Sequence, residues 1–120
     1  MANDFKRFPS ASLGTTAGAS ATAVYTVPSS GSAMESIVIG ITLANKSNAG
    51  ITASVFLDNH DGSNDVYIVK DATIPAGASL EVMSGNKLVL QGDGTNNDIL
   101  KMTSSTASAA DGIVSVLEDV

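Results

Sequence analysis

A cysteine-free chain of 120 residues with six basic and twelve acidic side chains, and a formal charge of −6, excludes several functions at once. Disulfides, thiolate metal centres and a cysteine nucleophile are ruled out, and nucleic-acid binding needs clustered Lys and Arg, whereas only Lys6 and Arg7 adjoin. Charged residues make up 15% and Trp is missing, so the core must be built from small aliphatics, and the Ser, Thr, Asn and Gly surface is inexpensive to bury against neighbours.

Residues 1–20 are polar and rich in small side chains, and cannot bury much surface alone. Two of the three phenylalanines lie here. The segment reads as an extended N-terminal arm that orders on a neighbouring subunit, with Phe5, Phe8 and Leu13 as anchors and Lys6 and Arg7 beside them. The plain alternative is an unstructured terminus. On the arm reading, removing residues 1–20 leaves the remaining domain folded and weakens assembly. No apolar run follows Lys6 and Arg7, so no secretory signal is expected. No stretch approaches the ~18 apolar residues of a membrane span.

From residue 21 the apolar period becomes two. Ala23, Tyr25 and Val27 alternate with Thr22, Val24 and Thr26 until Pro28-Ser29-Ser30-Gly31 breaks the strand. The clearest strand follows, with Ile37, Ile39, Ile41 and Leu43 on one face and Ser36, Val38, Gly40 and Thr42 on the other. The turn Asn45-Lys46-Ser47-Asn48-Ala49-Gly50 leads to Ile51, Ala53, Val55 and Leu57, a hairpin partner. A polar loop over 58–65 precedes a short strand at 66–70. Ile74-Pro75-Ala76-Gly77-Ala78 is a turn. Strands follow at 80–83, 87–90, 99–103 and 112–118, with interruptions at Ser84-Gly85-Asn86 and Gln91-Gly92-Asp93-Gly94. About eight short strands with frequent turns predict an all-β domain over residues 21–120, an antiparallel β-sandwich of jelly-roll or immunoglobulin-like type.

Chemistry is sparse. His60 sits in an Asp/Asn/Gly loop and reads as a solvated loop histidine. Asp58, Asp61 and Asp65 offer a loose calcium site at best, because the EF-hand register fails: with Gly62 at the sixth position, the first falls on Leu57. Gly92-Asp93-Gly94 reads as a turn. There is no Gly-x-Ser-x-Gly elbow and no phosphate loop. Glu35, Glu81 and Glu118 read as outward or edge positions. Asn45-Lys46-Ser47 matches a glycosylation sequon, which is idle without export. No catalytic, cofactor-binding or metal residue is assigned, and no enzyme activity is expected.

The order of six segments resembles a family of small structural proteins of tailed phages that infect marine bacteria and cyanobacteria. The segments are Tyr25-Thr26-Val27-Pro28, then 39–45, 66–71, Ile74-Pro75-Ala76-Gly77-Ala78-Ser79-Leu80, Leu88-Val89-Leu90-Gln91-Gly92-Asp93 and 114–118. The resemblance spans residues 21–120, and the 92–98 stretch departs from it as a longer loop. It implies a non-catalytic virion component assembled in the host cytoplasm: a head decoration subunit, or one associated with the neck or tail. Its partners would be major capsid, neck or tail subunits and further copies of itself in a homo-oligomer, without nucleic acid or membrane. The competing reading is a carbohydrate-binding or adhesin-type module, for which Tyr25, Phe56 and Tyr67 are the available rings within the domain. A small hydrolase would have to rely on His60.

Overall fold

A computed structural model describes residues 3–28, 34–83 and 87–119. Its strands are β1 (Asn3–Ser10), β2 (Thr22–Thr26), β3 (Met34–Asn45), β4 (Ile51–Asp58), β5 (Val66–Ile74), β6 (Ser79–Glu81), β7 (Leu88–Gly92), β8 (Ile99–Ser104) and β9 (Ala110–Asp119). One 3-10 turn, Gly18–Ser20, precedes β2. One sheet has the order β1-β9-β3-β6, with β7 also on β3, and the other has the order β2-β8-β4-β5. All pairings are antiparallel. β6 pairs with the stretch around Leu43 and β7 with the stretch around Ser36, so the two lie end to end along one edge of β3. With β6 and β7 taken as one position, successive strands alternate between the sheets except in the β4–β5 hairpin. That is the strand order of a jelly roll, so the antiparallel sandwich expected from the alternation is the observed architecture. The expected breaks at Ser29-Ser30-Gly31 and Ser84-Gly85-Asn86 lie outside the described residues.

The core is a layer of aliphatic side chains between the two sheets. Val38, Ile41, Leu43, Val55, Leu90, Leu100, Met102, Val114 and Val116 are fully or almost fully buried. At Gly112 the Met102 side chain from the opposite sheet fills the space a methyl group would need, with Met102 Sδ in its place.

The N-terminal segment is not a free arm. All of β1 pairs with β9, from Asn3 opposite Asp119 to Ser10 opposite Gly112. Leu13 is 1% exposed and bonded through its backbone to Ala110 and Ser108. Removing residues 1–20 would therefore uncover β9 and empty a core position. Hydrophobic burial and ladder hydrogen bonds within the chain satisfy this segment, and its composition alone did not reveal them. As an edge strand β1 is protected against indiscriminate pairing by Pro9 and by the inward-reaching Lys6.

Two buried polar side chains tie the loops at opposite ends of the sandwich. Asn45 Nδ2 donates to the carbonyls of Ala49 (2.8 Å), Ile74 (3.0 Å) and Pro75 (3.2 Å), while its Oδ1 accepts from Ser47 N and Oγ. This sequon amide is consumed inside the fold. At the other end, Asp98 Oδ1 accepts from His60 N and Nδ1 (2.8 and 2.7 Å), and Oδ2 accepts from Gln91 N (2.9 Å). The Asp98 carbonyl accepts from Val27 N. His60 is thus held and only 22% exposed rather than solvated. Hydrogen bonding to Asp98 raises its pKa above the ordinary histidine value.

Candidate functional site

The outer face of the β1–β9–β3–β7 sheet is the surface that the sequence pattern misplaces. β3 was expected to show Ile37, Ile39, Ile41 and Leu43 on one face. Instead its pairing with β9 shifts between Val38 and Gly40, which face Val116 and Ser115, so Ile39 is an extra residue. A bulge of this kind reverses which face every earlier residue occupies. Ser36 and Val38 therefore point into the core, with Ile41 and Leu43, and Ile37 and Ile39 point outwards.

The registers then align a row across four strands. Phe5 lies opposite Leu117, Leu117 opposite Ile37, and Ile37 opposite Val89. Phe5 is 77% exposed, Val89 55% and the neighbouring Ile39 42%. Leu117 and Ile37 are half-buried between them. Phe5, Lys6, Arg7, Ile39, Ser115 and Val116 line a shallow open depression of about 340 Å³ beside the row. Next along the strands on one side are Arg7 and Ser115, and on the other Glu35 and Gln91. Contiguous exposed apolar surface rimmed by polar groups is the usual mark of a protein contact.

Beneath this face a buried polar cluster fixes β1. Glu118, expected to point outwards, is 1% exposed and faces inwards. Its Oε2 accepts from the Tyr25 hydroxyl at 2.6 Å, and its Oε1 meets Lys6 Nζ at 2.9 Å. The Tyr25 hydroxyl also lies 2.7 Å from Ser36 Oγ. Burial, reinforced by the hydrogen bond to Glu118, pushes the Tyr25 phenol well above its ordinary pKa. The hydrogen bond and charge of Glu118 raise that of Lys6. The cluster links β1, β9 and β3 of one sheet to β2 of the other.

Of the expected contact residues, Phe5 and Arg7 share the outer face. Lys6 is paired to Glu118, Phe8 packs on Tyr25 with ring centroids 4.8 Å apart, and Leu13 is in the core. Ile37, Ile39, Val89 and Leu117 went unrecognised. Gly40, inside an otherwise β-branched run, was the available signal of a bulge. The calcium candidates disperse: Asp58 pairs with Lys101, Asp61 accepts from Ser63 N, and Asp65 accepts from Asn59 N. No family model matches the sequence, and no curated protein matches it.

Proposed function

We propose that the protein is a non-enzymatic structural subunit of a tailed-phage virion, a head decoration or a neck- or tail-associated subunit, that docks onto neighbouring virion proteins through the outer face of the β1–β9–β3–β7 sheet. The observation that carries this reading is the outward apolar row Phe5–Leu117–Ile37–Val89 with Ile39 beside it. Burying a large apolar side chain recovers about 1.5–3 kcal/mol. Covering what Phe5, Ile39 and Val89 still expose would contribute about 4 kcal/mol together. That is too little to hold one copy against the entropy of association, so the reading requires many copies on a symmetric particle, where avidity multiplies weak contacts. The low charge of the chain supports it too, because few ionised groups need to be desolvated.

The test replaces Phe5 and Val89 by Glu in the phage that encodes the chain. Both side chains are exposed, so stability should change by no more than about 0.5 kcal/mol. The wild type should appear in purified particles at a fixed copy number by quantitative mass spectrometry, and the double variant should be strongly depleted. Wild-type protein missing from the particles, or a variant incorporated at the wild-type copy number, contradicts the proposal.

A further inference from the structure

The opposite sheet carries a second, polar feature on its outer face. β5 is bulged twice against β4. Phe56 faces Tyr67 and Val55 faces Val69, leaving Ile68 as an extra residue; Ala53 then faces Ala72, leaving both Lys70 and Asp71 opposite Ser54. The second bulge holds Asp71 at φ 51°, a left-handed conformation that Asp and Asn tolerate better than most residues. Ser54 Oγ accepts from Asp71 N at 2.9 Å and fixes it there. Bulges re-aim side chains and recur beside functional sites. Here they help bring Tyr67, Lys70 and Asp71 to one groove.

That groove holds about 290 Å³, at the small end of ligand pockets, which run from about 300 Å³ upwards. Its floor is Thr52, Ser54 and Thr103, and its far wall is Thr15 and Ala17, brought across the sheet by the segment before β2. The floor is preset: Thr103 Oγ1 donates to the Gly14 carbonyl, and Ser105 Oγ accepts from Thr52 N. Tyr67 is 38% exposed, braced edge-on by Phe56 at 5.1 Å, with Lys70 Nζ 5.4 Å from its ring centre.

The lining selects a ligand class. Hydroxyls, a carboxylate and an ammonium around one aromatic ring match a polyhydroxylated molecule with an apolar face. Asp71 disfavours a phosphate, with Lys70 as the one cation among the lining residues. An added peptide strand is disfavoured because two bulges break the regular hydrogen-bonding edge of β5. We propose that this groove binds the terminal hexose of a glycan. The sugar's apolar face stacks on Tyr67, Asp71 accepts from its hydroxyls, and Lys70 leaves the ring to donate to another. This site is independent of the docking face on the other sheet.

The experiment titrates the isotope-labelled full chain with the methyl glycosides of glucose, galactose, mannose and N-acetylglucosamine, followed by amide chemical shifts, with inorganic phosphate as control. At least one glycoside should move amides at residues 52–54, 67–71 and 103–105 with millimolar affinity. Asp71→Asn, which suits the same backbone conformation, should melt with the wild type and bind at least about tenfold more weakly, the loss expected for a hydrogen bond to a charged acceptor. Tyr67→Ala should also weaken binding. The proposal is overturned if no glycoside moves these amides, if phosphate alone does, or if Asp71→Asn binds as tightly as the wild type.

Discussion

Glu118 shows how far one buried carboxylate reaches. A carboxylate placed between two sheets is tolerated only when its oxygens are satisfied, and here the Tyr25 phenol and the Lys6 ammonium do this. Tyr25→Phe removes the phenol from Glu118 and Ser36 while keeping the ring that packs on Phe8. It should cost about 1–3 kcal/mol, the usual penalty for leaving a buried partner unsatisfied, read as a lower midpoint of urea denaturation with an unchanged slope. His60 supplies the pH dependence. Its pKa is raised in the folded state by the hydrogen bond to Asp98, so the stability it contributes is fully present below the unfolded histidine pKa. That contribution is lost as pH rises through the higher folded value. The melting temperature of the wild type should therefore fall between about pH 6 and pH 8 more than that of His60→Ala. Parallel curves for the two proteins would show that the pair contributes nothing.

Among the elements, β1 and β3 define what could be read from the sequence. Periodicity placed β4, β8 and β9 because their apolar alternation runs without a face change on the core side. It failed on β3, where one extra residue, Ile39, reverses the first half of the strand. Alternation is blind to such a reversal when both faces carry apolar residues, as Ile37 and Val38 do. It also failed on β1, whose Asp4, Lys6 and Arg7 resemble a solvated terminus because the partner of Lys6, Glu118, lies at the far end of the chain. The contact site was legible only at Phe5 and Arg7, since its other members depend on the bulge and on cross-strand register. The pairing of β1 predicts that deleting residues 1–10 lowers the melting temperature substantially and promotes self-association through the uncovered β9 edge. Size-exclusion chromatography and thermal denaturation check this, and a truncated chain that stays monomeric with wild-type melting would contradict it.

For the whole molecule, the jelly roll separates two outward faces with different chemistry. One sheet presents the apolar row from Phe5 to Val89, and the other presents the hydroxyl-lined groove of Ser54, Tyr67 and Asp71. Asn45 and Asp98 clamp the loops at the two ends, so the faces are held in fixed relation by a rigid body. Such a body suits a subunit that is seated on a particle by one face and leaves the other to solvent. The decisive measurement on the proposed virion subunit is electron cryo-microscopy of the intact particle at side-chain resolution. Density for this jelly roll is expected at a symmetric position, with Phe5, Ile39 and Val89 buried against a neighbouring virion protein. Particles without this density, or with it present and those three side chains facing solvent, would rule out docking through this face.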